Sequence, residues 1–299
     1  WTCQPRVDTR LGGLDLYHAT NYYLPPVRAA RRVLTVYDLA FLRMPEVASP
    51  KVVGPFSAGL RRFATAADHI AVCSDATRLD VVTLLGVPEE RVTLVYGAPA
   101  PAFEPRPRHE AAARLAEAHG LSGPFILFVG TLEPRKNLVR LLRAFAGLRD
   151  ALPHTLVLIG RDGWHTAPIH AALDDPRLAG RVRRMGFLRD HTDLVDFYAA
   201  ADVLALPSLY EGYGLPVIEA MACGCPVVVS RAGSLPEVGG EAAEYVDALD
   251  EADIARGLRA VAGDPRRRAH MTVAGVEHSR HFTWGAAAEE TLALYRSVL

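Results

Sequence analysis

Short apolar runs of strand length alternate along the chain with stretches whose apolar residues recur every three or four positions. Residues 15–19, 33–37, 70–73 and 92–96 read as strands, and residues 56–67 carry Phe56, Leu60 and Phe63 on one helical face. Ser74 stands where an N-cap belongs and Gly86 where a helix ends, which predicts a helix between them. The alternation resumes at residues 125–129, a continuous apolar run bounded by glycines, as a buried parallel strand requires. Leu138, Leu141, Leu142, Phe145 and Leu148 follow at helical spacing. Residues 156–159, 182–185, 203–206 and 227–229 predict further strands, and residues 194–201 and 217–223 further helices. Repeated βα units of this kind pack as parallel sheets, so the fold class is α/β.

Residues 97–108 hold four prolines, which bars both a helix and a central strand there. This segment is the expected linker between two α/β domains in series. Residues 284–299 read as a C-terminal helix with Ala288, Leu292 and Tyr295 on one face. The first residue is Trp rather than Met, so the chain is expected to begin partway into a gene product.

The charge balance, 33 Lys+Arg against 34 Asp+Glu in 299 residues, argues against a dedicated nucleic-acid binder. An apolar content of 50% argues against disorder, and no apolar run approaches the ~18 residues of a membrane-spanning helix. Four cysteines are too few for a disulfide scaffold and suit a reducing, cytoplasmic setting. Cys3 and Cys73 stand alone. Cys223-Gly-Cys225 lacks a second ligand pair, so it reads as two small buried residues at a turn, and no metal site is expected. Arg28, Arg31, Arg32, Arg61 and Arg62 are a candidate weak contact with anionic lipid at a membrane face, set against scattered solvated arginines.

Ligands of open parallel sheets sit beyond the carboxyl ends of the strands. Gly130-Thr131-Leu132-Glu133-Pro134-Arg135-Lys136 leaves such an end and is expected to open a helix. Helix-start amides beside two adjacent cations would form a positive site for a diphosphate. Arg161, in the turn after residues 156–159, reads equally as a phosphate or sugar contact and as an ordinary exposed turn residue. Gly186, Phe187 and Leu188 mark another strand end. The fourth loop runs from Ser208 through Glu211, Gly212, Tyr213, Gly214 and Leu215 to Glu219. Gly212 and Gly214 are expected to free the backbone so that its amides face a ligand, with Glu219 in the first turn of the next helix.

Taken together, residues 130–138 (GTLEPRKNL), 207–228 (PSLYEGYGLPVIEAMACGCPVV) and 234–238 (SLPEV) resemble the retaining glycosyltransferases of family 4. Residues 21–26, 35–42 and the C-terminal segment carry the likeness over nearly the whole chain, and the subgroup it is most similar to is the bacterial mannosyltransferases of O-antigen and capsule assembly. The resemblance implies a GT-B fold, two Rossmann-like domains facing a cleft: residues 1–105 on the acceptor side, 106–282 binding nucleotide sugar, and 283–299 crossing back to the first domain. It also implies that the first domain lacks its opening βα units.

The same resemblance implies site roles. Arg135 and Lys136 neutralise the donor diphosphate, Glu219 binds the ribose, and Glu211 meets the donor sugar. Gly130, Thr131, Gly212, Tyr213, Gly214 and Leu215 line phosphate and sugar, and residues 186–188 hold the base. Tyr37 and Asp38 approach the donor sugar from the first domain; members of the family commonly carry His where Tyr37 stands. His18 is a candidate for orienting the acceptor, set against a strand-end His bonded to backbone. The implied reaction is metal-independent, retaining transfer of a hexose, mannose in the subgroup, from a GDP- or UDP-sugar to a saccharide or lipid-linked saccharide, with no cofactor. A nucleotide-sugar-binding module without turnover is the alternative. An epimerase lacks its extra acid/base pairs here. A pyridoxal-dependent phosphorylase lacks a spare lysine, since Lys136 is the only one in the second half.

Overall fold

The computed structural model describes residues 7, 11–27, 30–49, 53–188 and 191–299. Cys3 and Arg28 lie outside them. The chain divides into two compact units, Trp1–Gly97 with Thr283–Leu299, and Ala98–Phe282. The division falls after Gly97, so the proline-rich segment belongs to the second unit rather than ending the first at residue 105.

In the first unit, β1 (Leu16–Ala19), β2 (Arg31–Val36), β3 (His69–Val72) and β4 (Val92–Leu94) form a parallel sheet in the order of the chain. Helices α1 (Ala40–Arg43), α2 (Pro55–Ala66) and α3 (Asp75–Leu85) connect them. The Ser74 hydroxyl accepts from the Thr77 amide at 3.0 Å and Gly86 closes α3 in the left-handed conformation. Arg32 is held by Asp68 through two guanidinium bonds, and Arg61 donates to the Leu84 carbonyl. Both arginines therefore serve the fold.

The second unit comprises α4 (Arg108–His119), β5 (Phe125–Val129), α5 (Leu138–Ala146), β6 (Thr155–Ile159), α6 (Ala167–Leu173), β7 (Val182–Gly186), α7 (His191–Ala200), β8 (Val203–Leu206), α8 (Leu215–Ala222), β9 (Val227–Ser230), α9 (Leu235–Gly239), β10 (Glu244–Val246), α10 (Glu251–Ala262) and α11 (Pro265–Ser279). Its strands are all parallel, in the order β10-β9-β8-β5-β6-β7. Strands β8 and β9 are buried throughout, whereas β7 at the edge is not, which lets it carry Arg183 and Arg184. Leu138, Leu141, Leu142 and Phe145 of α5 are all buried. Each such side chain contributes roughly 1.5–3 kcal/mol, so this face holds α5 in place. Chain order reverses between β5 and β8, and a crevice opens at such a switch point, beyond the carboxyl ends of the strands.

The last helix, α12 (Trp284–Val298), belongs to the first unit. Leu294 packs on Val33 and Ala71, with Leu16, Tyr295 and Val298 around it. The packed face therefore runs through Ala287, Leu294, Tyr295 and Val298, while Ala288 is exposed and Leu292 is 48% exposed. This corrects the face expected from spacing. Both sets satisfy a 3.6-residue period, and the sheet surface selects between them. Cys73, Cys223 and Cys225 are buried. No helix among the described residues is long and apolar enough to cross a membrane.

Candidate active site

The carboxyl ends of β5 and β8, adjacent in the sheet, launch the two segments richest in charge. After β5, Gly130 and Thr131 lead to a 3-10 turn over Pro134–Lys136. Asn137 takes a left-handed φ of 59°, and α5 begins only at Leu138. Arg135 and Lys136 thus sit on a turn before the helix, not in its first turn as expected. The Lys136 and Asn137 amides are spent on Glu133 and Pro134 carbonyls. Side-chain cations, rather than helix amides, set the charge here. Asn137 donates from Nδ2 to the carbonyls of Pro207 (2.9 Å) and Ala248 (2.6 Å), tying this turn to the end of β8.

After β8 the chain passes Ser208 and reaches Glu211, which is 5% exposed. Its carboxylate accepts from Lys136 Nζ at 2.6 Å, Ser208 Oγ at 2.6 Å and Arg135 Nη1 at 3.0 Å. Arg135 also donates from Nε to Glu133 at 3.0 Å and from Nη1 to the Tyr210 carbonyl at 2.8 Å. Two cations meet two carboxylates, so the surplus positive charge expected at this turn is balanced. Burial raises the Glu211 carboxyl, but Lys136 and Arg135 together outweigh it and hold the group at about 2. For Glu133 burial wins over the same cations and the carboxyl is raised.

The loop around Glu211 needs glycine at two points. Gly214 has φ 91°, a left-handed conformation. Gly233 approaches from the β9–α9 connection so closely that a Cβ there would lie 2.2 Å from the Glu211 carbonyl oxygen. Next to it, Ser234 donates from its amide (3.0 Å) and hydroxyl (3.2 Å) to that same carbonyl.

Glu219 lies beyond the first turn of α8, which carries no acidic residue, and this corrects its expected place. Its partner is the Tyr198 hydroxyl of α7 at 3.0 Å, and not the Arg135–Lys136 pair. Burial pushes the Glu219 carboxyl up to about 7, against the opposing effect of the Tyr198 bond. At the ends of β6 and β7, the Arg161 guanidinium lies 5.1 Å from the centroid of the exposed Phe187 ring. The amide of Gly160 donates to the carbonyl of Gly186, joining those two ends. Leu188 follows directly. Tyr213 and Leu215 stand partly exposed on the loop between Glu211 and α8.

The remaining expected residues form their own group in the first unit. His18 of β1 bonds through Nδ1 to the Tyr295 hydroxyl and through Nε2 to Thr35 Oγ1, each at 2.7 Å. Its partners are therefore side chains rather than backbone. Burial lowers its pKa, so the imidazole is neutral near pH 7. Tyr37 follows β2, is 46% exposed, and has its pKa raised by burial and by Cys73. The Asp38 carboxylate accepts from the Ala40 amide at 3.0 Å, and the Asp38 amide donates to the Tyr22 hydroxyl at 2.9 Å. His18, Thr35, Tyr37, Trp284, Leu292 and Tyr295 line a cavity of about 490 Å³.

Glu133, Ser208, Tyr198 and Ser234 were not singled out from sequence as site residues. Glu133 had the clearest signal, an acidic residue two positions before a paired Arg. Ser208 reaches Glu211 locally, three residues along the chain, whereas Tyr198 and Ser234 gain their roles only through tertiary contact.

Residues 112–278 match the family described as glycosyl transferases group 1. The O-antigen chain mannosyltransferase B of Escherichia coli is 32% identical over 283 residues, covering 94% of this chain and 74% of that protein. A D-inositol 3-phosphate glycosyltransferase of Corynebacterium diphtheriae is 38% identical over 175 residues, 56% of this chain and 41% of that one. Sucrose-phosphate synthase of Thermosynechococcus elongatus superposes with a TM-score of 0.80 at 25% identity, over 97% of this chain and 74% of that chain.

Proposed function

Since the chain belongs to the group 1 family of glycosyl transferases and has the α/β fold of GT-B enzymes, we propose that it moves a hexosyl group from a nucleoside-diphosphate sugar to a saccharide hydroxyl, with retention and without a metal. The observation that carries this reading is the cluster of Lys136, Arg135 and Glu211 at the β5/β8 switch point. The leaving group of such a reaction is a nucleoside diphosphate, on which negative charge grows as the sugar departs. Fixed cations in a partly dry site stabilise that charge without reorganising. Lys136 and the Nη1 edge of Arg135 are the cations suited to it, and Glu133 keeps the rest of the guanidinium in place.

Glu211 acts by position and charge. Held ionised, it suits the donor sugar hydroxyls and does not act as a nucleophile; the departing phosphate takes the proton of the acceptor hydroxyl. Glu219, half-protonated near pH 7, suits the ribose hydroxyls as either acceptor or donor. The relative's name, a mannosyltransferase acting on an O-antigen chain, supports mannose as the sugar and a growing saccharide, lipid-linked or not, as the acceptor. GDP- and UDP-sugars are the donors in view. The test is product formation from a panel of nucleotide sugars in EDTA, with the anomeric configuration read by NMR. A product of retained configuration supports the reading; strict dependence on added metal, or inversion, refutes it.

A further inference from the structure

The ammonium of Lys136, 7% exposed, has Glu211 as its hydrogen-bond partner among the described residues. Arg135 is anchored differently. Glu133 holds its Nε edge and the Tyr210 carbonyl shares its Nη1, so the guanidinium keeps its place whatever Glu211 does. Two cations and two carboxylates sum to zero, which leaves no net attraction for a further dianion while all four stay paired. A diphosphate reaching Lys136 would also meet the Glu211 carboxylate 2.6 Å from the same ammonium, a close approach of like charges.

We propose that Glu211 is the resident anion of the diphosphate subsite, and that donor binding exchanges it for phosphate on Lys136 and turns it towards the transferred sugar. The proposal rests on the donor reading given above. Of the two carboxylates Glu211 is the one bonded to Lys136, whereas Glu133 is bonded to Arg135. Apart from the cations, the partner holding the Glu211 carboxylate is the neutral Ser208 hydroxyl. Glu211 also sits on the loop that contains Gly214.

Two consequences follow. A released Glu211 regains hydrogen bonds only if sugar hydroxyls are present to donate them. The intact donor therefore compensates the exchange, and the bare nucleoside diphosphate does not. After transfer the sugar is gone, and Glu211 competes with the product diphosphate for Lys136. Product release is thereby favoured by a group already in the site.

The experiment is calorimetric titration of UDP, GDP, inorganic pyrophosphate and the matching nucleotide sugars into wild type, Glu211→Gln and Ser208→Ala. Glutamine keeps the size of the side chain and a hydrogen-bond acceptor but removes the charge. Nucleoside diphosphate and pyrophosphate should bind Glu211→Gln about tenfold or more tightly than wild type, the scale of one charge-assisted bond no longer competed for. Ser208→Ala loosens the carboxylate without unpairing Lys136 and should tighten the same ligands about two- to fivefold, the scale of one neutral bond. It carries the test if Glu211→Gln fails to fold. Nucleotide sugar should show no such gain with Glu211→Gln, because the sugar contact is lost as the competitor is removed. A folded Glu211→Gln or Ser208→Ala protein that binds the diphosphates no more tightly than wild type overturns the exchange. If wild type and both variants all fail to bind any nucleoside diphosphate, the donor reading itself falls, and the exchange with it.

Discussion

The Tyr198 hydroxyl of α7 donates to the Glu219 carboxylate of α8 at 3.0 Å, and both groups are buried. This bond favours the ionised carboxylate, yet burial prevails and the group titrates at about 7 in place of the ordinary 4.5. Below 4.5 the carboxyl is protonated in folded and unfolded chains alike, and there is no penalty. Between 4.5 and 7 the unfolded chain ionises while the folded one holds its proton, so stability falls as pH rises. Above 7 the full penalty applies, about 3 kcal/mol at most from the two values. Glu219→Gln should therefore gain stability relative to wild type as pH rises from 5 to 8. Thermal unfolding across that range checks it, and a gap independent of pH would contradict it. Glu211, held at about 2, acts in the opposite sense: its contribution is present above 4.5 and is lost as pH falls towards 2.

Glu133 positions Arg135 through its Nε edge. Glu133→Gln keeps a hydrogen-bond acceptor but removes a charge, so Arg135 should be held less firmly. Turnover should drop about tenfold, the scale of one charge-assisted bond. The loss should appear in kcat more than in KM, because a misplaced cation matters most when charge develops. Steady-state kinetics with the preferred donor decides it; an unchanged kcat would remove Glu133 from this role.

On α12, Leu294 is buried against Val33 and Ala71, whereas Leu292 is nearly half exposed. Leu294→Ala should cost about 2–5 kcal/mol, and Leu292→Ala well under half of that. Denaturant titration of both variants distinguishes the two faces. Equal losses would mean that the face built on Ala288 and Leu292 is the packed one after all.

Tyr37 is partly exposed and its phenol, raised by burial, does not exchange protons near neutral pH. Tyr37→His should leave the melting temperature nearly unchanged and raise turnover. Tyr37→Phe removes the hydroxyl and should lower turnover. No effect of either substitution on kcat or KM would place Tyr37 outside the reaction.

Element types were legible wherever local chemistry was decisive. The apolar run of β5 between glycines and the Ser74 and Gly86 ends of α3 needed no tertiary information. Helix α4 was hidden because the prolines before it suggested linker, and β10 because three residues with a Glu at their head give no strand pattern. The side of α12 that packs was ambiguous for the geometric reason already given. At the site, each residue's position after a strand was readable, but its partners were not. That Glu211 meets Lys136 depends on β8 lying beside β5, an outcome of sheet order rather than of spacing. The two carboxylates eight positions apart on the chain end in opposite electrostatic states, one held near 2 and the other near 7. The cations beside Glu211 offset its burial, whereas burial prevails at Glu219 over the opposing Tyr198 bond.

On the proposed reading, Lys136 and Arg135 serve the diphosphate of a nucleotide donor. The most direct measurement is the affinity of Lys136→Ala, set against wild type, for GDP or UDP and for the corresponding bare nucleoside, by calorimetry in EDTA. One charge-assisted bond is worth ~1.5–3 kcal/mol, so the variant should lose roughly 10- to 150-fold for the diphosphate and little or nothing for the nucleoside. Equal losses for both ligands, or none for either, would contradict the assignment.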